Sequence, residues 1–271
     1  MISRRLPIRT RTAPVVAVAF TLALAACETN TFGPCCGQFE AFDLFRFDIP
    51  VNSLSAVYLE GINGDVTVTG VPNAGGIVVR GERRVTSLGP PDAGSRLDDI
   101  VIDIFEQAGE LVVRTLQPAE ATGYDYAVHY ELLVPEWFVA SVYNVNGLVA
   151  VQALSSGTAI VNSNGPVTVR GLIGSAFVDN INGDIVAEAA IFRNGFIDLR
   201  TVNGSILLDV PVQTSATLEA IVTNGDISVH NLVVHDREVG NGYLTGRLGF
   251  GEGEIKLVTT NGNISIRGVG R

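Results

Sequence analysis

The stretch that decides the fold is residues 176–187, which read AFVDNINGDIVA. It consists of a short run of alternating apolar residues, an Asn-Gly pair at Asn182, and a second run of the same kind. The same pattern recurs around six other Asn-Gly pairs, at Asn63, Asn146, Asn164, Asn203, Asn224 and Asn261. The chain is therefore predicted to consist mostly of one repeated unit.

Aligning the seven copies on their Asn shows four positions that are almost always apolar, at −6, −4, +3 and +5. Twenty-seven of these 28 positions are apolar, whereas the overall apolar content of 46% would give about 13. Position +3, for example, holds Val66, Val149, Val167, Ile185, Ile206, Ile227 and Ile264. Such alternation predicts strands with one buried face. A further apolar position at +8 predicts a coil with three inward-facing sides.

The repeat has two local interpretations. Asn-Gly favours the two-residue turn of a β-hairpin, so a meander of hairpins is one of them. Spacings of 18, 18, 21 and 21 residues after Asn146 instead favour a solenoid of stacked coils. We therefore predict an all-β fold, a single-stranded parallel β-helix, right-handed as parallel crossover connections are by default. The last spacing, 37 residues, predicts one degenerate copy around Asn241 and Gly242.

The N-terminus predicts export and a lipid anchor. Residues 1–12 carry four Arg and no acid, and residues 13–26 form an apolar run that ends in small residues, as in a secretory signal. This run is too short to cross a membrane as a helix. It ends in Leu24-Ala25-Ala26-Cys27, which resembles the lipobox of bacterial lipoproteins. Residues 1–26 are thus predicted to be a signal peptide, and Cys27 to be acylated and to hold the protein on a membrane.

The lipobox resemblance implies a bacterial cell envelope, and Glu28 after the Cys favours the outer membrane if the cell is Gram-negative. Residues 27–53 are predicted to be a flexible tether. Cys35 and Cys36 lie within it, too close together for an unstrained mutual disulfide. An intermolecular bridge and two free thiols both stay open.

The remaining chain divides into two predicted regions. Residues 54–137 contain the copy at Asn63 and then alternating runs outside the repeat, which predict an N-terminal antiparallel β insert or cap. Residues 138–271 hold the other copies and are predicted to be the β-helix repeats. Trp137, at the junction, is predicted to be a core residue. The last coil ends close to the C-terminus and is expected to leave an open strand edge.

Composition and motifs exclude several classes of function. The net charge is −10, and it becomes −14 if residues 1–26 are removed, because they contain four Arg and no acid. With one lysine and no basic stripe, nucleic-acid binding is not expected. The sequence contains no Walker-type loop, no Gly-x-Ser-x-Gly and no Cys or His pair at zinc spacing. No catalytic residue, metal site or cofactor is predicted.

One enzymatic alternative stays open. Asp184 and Asp226 occupy the same +2 position, with Ser205 between them. Two coil steps of about 4.8 Å would put them about 9.6 Å apart, close to the separation of the carboxylates in an inverting glycosidase. The protein would then be a polysaccharide hydrolase or lyase. Asp beside Asn-Gly is also a turn residue by preference, and we favour that role and a non-enzyme.

Two surface features are predicted. One is a structural ladder of stacked side-chain hydrogen bonds formed by Asn146, Asn164, Asn182, Asn203, Asn224 and Asn261. The other is a set of outward-facing apolar residues, namely Tyr143, Val161, Val186, Leu207 and Ile221. We expect the insert of residues 72–137 to cover this second set; otherwise it would bind an envelope protein or polysaccharide.

Taken in order, these motifs resemble the bacterial putative-adhesin family of β-strand repeats, an uncharacterised family often found in envelope proteins and lipoproteins. The resemblance rests on YELLVP at residues 130–135, the Asn-Gly copies, and LTGRLG at residues 244–249 before TNGNI at residues 260–264. It covers about Val57 to Arg267. It implies a lipid-anchored envelope protein with a non-catalytic binding, adhesion-like or scaffolding role, and it supplies no catalytic residues.

Overall fold

The computed structural model describes residues 39–87, 92–118 and 123–270. These residues form 21 β-strands and one short 3₁₀ helix, Ala93–Asp99. The N-terminal strands are β1 Phe39–Pro50, β2 Ala56–Glu60, β3 Val66–Val71, β4 Gly76–Ser87, β5 Val101–Gln107, β6 Glu110–Leu116 and β7 Tyr124–Pro135. Next come β8 Val139–Asn146, β9 Val149–Gln152, β10 Gly157–Asn164, β11 Val167–Ile173, β12 Ser175–Asn182, β13 Ile185–Ala190, β14 Phe196–Asn203 and β15 Ile206–Pro211. The last are β16 Ala216–Asn224, β17 Ile227–His230, β18 Val234–Gly240, β19 Tyr243–Leu248, β20 Gly253–Asn261 and β21 Ile264–Val269.

Each Asn-Gly pair of the repeat forms a corner between two sheets. In the copy around Asn182, β12 lies in an 11-stranded sheet, called sheet B, and β13 lies in a 10-stranded sheet, called sheet A. β12 pairs in parallel with β10 and β14, with Asn182 opposite Asn164 and Asn203. Because β12 and β13 pair with neighbouring coils and not with each other, the fold is a parallel β-helix and the hairpin interpretation is wrong.

The coil has two sheets and not the three sides that position +8 suggested. The +8 residue Leu172 belongs to β11 of sheet A, and the pairing of β11 with β13 shifts register between Val169 and Leu172. Gly171 lies in this irregularity with φ +58. Such a bulge adds one residue and turns the next side chains. Leu172 is buried beyond this bulge, so its inward-facing position belongs to the end of a sheet A strand and not to a third sheet.

The core is the apolar layer between the two sheets. The columns predicted to face inward are buried along the middle of the stack, as Val178 and Leu199 are in sheet B and Ile185 and Leu208 are in sheet A. Full burial of one such side chain stabilises the fold by about 1.5–3 kcal/mol. A single core cluster runs from Ile49 to the last strands, so the two predicted regions share one interior.

The order of the coils in space differs from their order along the chain. Strands β20 and β21, the last in sequence, lie between β14 and β16 in sheet B and between β15 and β17 in sheet A. The coil of Asn261 therefore separates those of Asn203 and Asn224. The degenerate coil expected around Asn241 is wrong, because β18 and β19 form an antiparallel hairpin at the edge of sheet B. The open edges at this end are β17 and β18, and not the C-terminal strand.

The N-terminal region extends both sheets instead of covering an outer face. In sheet B, β2 pairs in parallel with β6 on one side and with β8 on the other. In sheet A, β3 pairs in parallel with β7 on one side and with β9 on the other. The antiparallel part of the predicted insert consists of β1 and β4 in sheet A and β5 in sheet B. The expected cover over the outward-facing apolar residues is therefore absent from the described residues.

The predicted tether is wrong for residues 39–50, which form β1 and pair with β4 along all 12 residues. Phe45, Phe47 and Ile49 alternate in this stretch and pack against the core, a signal that the composition of the preceding residues obscured. The predicted signal peptide, Cys27 and residues 28–38, with Cys35 and Cys36, lie outside the described residues. In the part of the chain that is described, no helix has the length and apolar character needed to cross a membrane.

Candidate functional site: corner ladders and outer faces

The corner asparagines form one continuous side-chain ladder. Each Nδ2 donates to the Oδ1 of the preceding coil in the stack, at 2.6–2.8 Å. In spatial order the members are Asn63, Asn146, Asn164, Asn182, Asn203, Asn261 and Asn224. At the first end, Asn63 Nδ2 donates to the carbonyl of Tyr126 at 3.0 Å. The structure thus brings the six predicted asparagines together with a seventh, Asn63. The six are exposed along one edge of the solenoid, and Asn63 is half-buried.

A second, buried row of polar side chains lies two residues before the ladder. Its members are Asn144, Asn162, Asn180, Thr201 and Thr259, all buried. Asn180 Nδ2 donates to the carbonyls of Gly165 and Gly183 at 3.1 and 2.9 Å. The Oδ1 atoms of the three asparagines have no partner in the described chain. This row was not predicted from the sequence. The signal that could have shown it is a polar residue at position −2, which faces the same side of the strand as the buried positions −4 and −6.

The corner glycines allow the coils to approach one another closely. Gly183 has φ +139, and a Cβ there would lie 2.2 Å from the carbonyl oxygen of Gly165. Left-handed backbone favours glycine, and no side chain fits at that distance. Both residues of the pair are therefore required, the Asn for the ladder and the Gly for the close contact between coils.

The polar +2 side chains form a third row, and those with a coil after them accept a hydrogen bond from its backbone. Asp184 Oδ1 accepts from the Ser205 amide at 2.7 Å, and Ser205 Oγ accepts from the Asn263 amide at 3.1 Å. Asn263 Oδ1 then accepts from the Asp226 amide at 2.9 Å. At the other end, His129 Nδ1 accepts from the Asp65 amide at 3.1 Å. These side chains hold the corners together.

This row corrects the distance between the two candidate catalytic carboxylates. Ser205 and Asn263 both lie between Asp184 and Asp226, so the two carboxylates are three coil steps apart and not two. Three steps of about 4.8 Å give about 14 Å, well beyond the roughly 6.5–9.5 Å of an inverting glycosidase. No pair of carboxylates at the expected spacing is formed by these residues.

The outward-facing apolar residues predicted to bind a partner fall into three places. Tyr143 and Val161 are neighbours on the outer face of sheet B and are 41% and 37% exposed. Val186 and Leu207 are neighbours on the outer face of sheet A and are half-buried. Ile221 lies four strands from Val161 in sheet B, beside the hairpin strand β19.

Sheet B carries a larger apolar surface than the sequence indicated. Tyr143 and Val161 are joined by Tyr58, Ala159 and Phe177, which lie on the same face in the same and adjacent strands. These five residues are called the sheet B patch. Burial raises the pKa of the Tyr58 hydroxyl, and the nearby Glu60 carboxylate raises it further. Its phenol is thus neutral at physiological pH, as suits an apolar surface.

Beyond the patch, the outer face of sheet B becomes charged. Arg200 donates to Asp198 at 2.8 Å, and Lys256 pairs with Glu219 at 2.7 Å. These two ion pairs lie on β14, β20 and β16. The apolar surface therefore occupies the part of the face nearest the N-terminal strands.

Trp137 lies on the surface, and its predicted core position is wrong. It is 48% exposed, with its ring centroid 4.7 Å from that of Phe138. Phe138 is fully buried and is the aromatic core residue at this junction. The chain turns between β7 and β8 here, so alternation did not reveal which aromatic faces inward.

Sequence comparison finds a family model that matches part of the repeat. Residues 145–267 match the Toastrack family, DUF4097. The resemblance read from the sequence is confirmed for these residues, which begin beside Asn146 and include the corners up to Asn261. The copy at Asn63 precedes the Toastrack match. No protein of curated function matches the sequence of this chain.

A solved structure shares the fold of this chain, and another is similar at a lower TM-score. A putative cell adhesion protein from Clostridium sporogenes has 8% sequence identity and a TM-score of 0.51, over 84% of this chain and 100% of that one. A putative adhesin from Bacteroides fragilis has 12% identity and a TM-score of 0.32, over 84% of this chain and 97% of that one. At such low identity, the first likeness shows the fold alone.

A shallow groove of about 370 Å³ crosses the edge of the solenoid opposite the Asn ladder. Its walls are Ile173, Ala190, Ile191, Phe192, Arg193, Pro211, Gln213, Thr214, Ser215 and Glu252. Arg193 and Glu252 form an ion pair at 3.3 Å. Ser215 Oγ accepts from the backbone amides of Phe250 and Glu252 at 3.0 and 3.3 Å, so it is committed to holding a loop. Among the described residues, no cluster of three or more His, Cys, Asp or Glu side chains could hold a metal ion.

Proposed function

We propose that this protein is a lipid-anchored component of the bacterial cell envelope, in which a non-catalytic Toastrack solenoid acts as an adhesion-like or scaffolding surface. The sheet B patch is the observation that carries the proposal. Tyr143 and Val161 are exposed beside one another on the outer face of sheet B. A contiguous apolar patch on a solvent-exposed face marks an interaction site more often than isolated apolar residues do.

The chemistry of the patch favours recognition over catalysis. Tyrosine supplies a large rigid surface at a small loss of side-chain entropy. The charged groups beside the patch on this face are Asp179 and Glu60, and Glu60 pairs with Arg114 at 2.7 Å. The carboxylates Asp65 and Asp184 accept backbone hydrogen bonds of the next coil and are committed to the fold. An envelope protein or a polysaccharide with apolar faces is the partner we infer.

The location is proposed from the N-terminal sequence. Leu24-Ala25-Ala26-Cys27 resembles a lipobox, and acylation of Cys27 would tether the solenoid to a membrane. Cys27→Ser tests this half of the proposal. We expect the wild-type chain in the membrane fraction of the cell and the variant in the soluble fraction, and equal partition of the two would contradict acylation.

Binding is tested with the purified full chain and immobilised envelope fragments of the producing bacterium. Tyr143→Ser combined with Val161→Ser removes the exposed apolar groups of the patch, and we expect retention to weaken by about tenfold. Val186→Ser combined with Leu207→Ser is the matched control on the opposite sheet and is expected to leave retention unchanged. Equal retention of both double variants and wild type would refute the patch as the binding surface.

A further inference from the structure

The coil of Asn224 is the last in the stack, and its corner repeats the hydrogen-bonding groups of every earlier corner. At each earlier junction, the amide of the corner glycine donates to the Asn carbonyl of the next coil at 2.8–3.0 Å. The amide at +3 donates to the +2 carbonyl of the next coil at 2.8–3.1 Å. No coil follows in the described chain, so Gly225 and Ile227 present these two amides at the end of the stack.

Two acceptors accompany these donors. At each earlier junction the Asn Oδ1 accepts from the Asn of the next coil, as Asn203 does from Asn261 at 2.8 Å. The +2 side chain accepts from the next +2 amide at junctions such as the one between Asp184 and Ser205. In the last coil the corresponding groups are Asn224 Oδ1 and the Asp226 carboxylate, and both residues are exposed.

The chain itself shows what fills such a corner. Segment 261–264 covers the corner of the Asn203 coil through four contacts. Asn261 Nδ2 donates to Asn203 Oδ1 at 2.8 Å, and the Asn263 amide donates to Ser205 Oγ at 3.1 Å. In return, the carbonyls of Asn261 and Asn263 accept from Gly204 at 2.9 Å and from Ile206 at 2.8 Å. The corner at Asn224 offers the same two donors and two acceptors.

The adjoining strand edge is also unprotected. Among the described strands, β17 pairs only with β21, and its sequence ISVH contains no Lys, Arg, Asp or Glu. Its Ile227 and Val229 are half-buried against the core. The edge strand of sheet B at this end, β18, instead has an irregular register and the run Asp236-Arg237-Glu238. Charges and bulges are how edge strands avoid pairing with other chains, and β17 has neither.

The hairpin of β18 and β19 covers only the sheet B side of this end. Its turn meets β16 at Val222, whose amide donates to the Gly242 carbonyl at 2.8 Å. The next residues, Thr223 to Asp226, are exposed. Sheet B thus continues two strands past β16, whereas sheet A stops at β17.

This mismatch disfavours a second copy as the occupant. Antiparallel pairing of two β17 edges would continue sheet A through a two-fold axis perpendicular to it. The β16 strand of the second copy would then need the place beside β16 that β19 already occupies. A single extended segment meets no such obstacle.

We propose that the corner at Asn224 and the edge of β17 form a strand-addition site for another polypeptide. The partner supplies an Asn-Gly corner followed by alternating apolar residues, which adds parallel to β17 as the next coil would. Backbone hydrogen bonds give such additions affinity, and alternate side chains give specificity. This deepens the proposed binding function by adding a site separate from the sheet B patch, so the two can fail independently.

The test uses the purified full chain and a fluorescent peptide of residues 260–269, TNGNISIRGV, measured by anisotropy. We expect one peptide to bind per chain. Asp226→Ala removes a charged acceptor and should weaken binding about tenfold. Val229→Pro removes an amide on the open edge, because Val229 has the same parity as Ile227, and should weaken binding at least as much.

Asp184→Ala is the matched control, because it is the same substitution in the same row at an internal corner. It should lower the thermal midpoint and leave peptide binding unchanged. Asp226→Ala should instead weaken peptide binding and leave the thermal midpoint unchanged. A peptide with Asn261→Ala and Gly262→Val should not bind. Absence of binding by the parent peptide, or binding insensitive to Asp226→Ala and Val229→Pro, would overturn the proposal. So would a dimer of the full chain that Val229→Pro dissociates, because a second copy would then occupy the edge.

Discussion

The buried and exposed asparagine rows should respond very differently to one substitution. Asn180 and Asn182 are two residues apart in β12, and Asn→Asp changes neither the size nor the shape of the side chain. Asn180 is fully buried and donates to the carbonyls of Gly165 and Gly183 at 3.1 and 2.9 Å. Asn182 is exposed and donates to Asn164 Oδ1 at 2.8 Å.

The magnitudes follow from these contacts. Asn180→Asp replaces two donors by a buried carboxylate facing two carbonyl oxygens, and an uncompensated buried charge costs about 3–5 kcal/mol. Asn182→Asp removes one exposed hydrogen bond, worth about 1 kcal/mol, and keeps the acceptor for Asn203 Nδ2. We therefore expect Asn180→Asp to lower the free energy of unfolding several times more than Asn182→Asp does.

Urea unfolding of both variants at pH 7 and at lower pH measures the difference. Burial raises the pKa of the introduced carboxyl in the folded state above its unfolded value of about 3.9. Its protonated form is tolerated, so the loss of stability in Asn180→Asp is smallest below that unfolded value and grows as the pH rises through the folded pKa. Equal losses in the two variants, or a pH-independent loss in Asn180→Asp, would refute the buried row.

Three other outcomes test the account. Gly183→Ala should cost at least about 3 kcal/mol in urea unfolding, because its Cβ would lie 2.2 Å from a carbonyl oxygen, whereas Gly75→Ala, with open space around it, should be nearly neutral. Burial raises the pKa of Tyr130 to about 12, above the usual value of about 10, so the contribution of Tyr130 to stability should be full below pH 10 and fall as the pH rises towards 12; Tyr130→Phe should make the alkaline loss of stability smaller. Trp137, the single tryptophan, is about half exposed, so iodide should quench its fluorescence in the folded protein; protection from iodide would place it in the core.

The repeated coil could be predicted from the sequence because two independent periods agree in it. Alternation puts Val178 and Ile185 in the core, and the Asn-Gly pair at Asn182 marks the corner between them. Both follow from local backbone geometry and from the need to bury one face of each strand. The resemblance to a β-strand repeat family is confirmed by the Toastrack match to residues 145–267. The lipid anchor at Cys27 and the binding surface stay predictions.

The order of the coils could not be predicted, because the corners are nearly interchangeable. Asn224 and Asn261 present the same groups to a neighbour, so sequence alone does not tell which one follows Asn203. The distance between Asp184 and Asp226 depends on that order, which is why the carboxylate spacing was wrong. The buried row at Asn180 could not be predicted for another reason: a buried strand face is recognised by its apolar residues, and an inward-facing amide bonded to glycine carbonyls does not fit that pattern.

The exchanged order of the last two coils is the central claim, since it also decides that the corner at Asn224 is the open end. Paired cysteines test it directly, in a chain with Cys27, Cys35 and Cys36 replaced by serine. A disulfide needs Cα atoms about 4.4–6.8 Å apart, which adjacent coils satisfy and coils two steps apart do not.

Mild oxidation followed by a non-reducing gel reports the result. Asn203→Cys combined with Asn261→Cys should form an intramolecular disulfide, because these residues are paired across β14 and β20. Asn203→Cys combined with Asn224→Cys should not, because the coil of Asn261 lies between them. A disulfide in the second pair and none in the first would contradict the exchanged order of the coils.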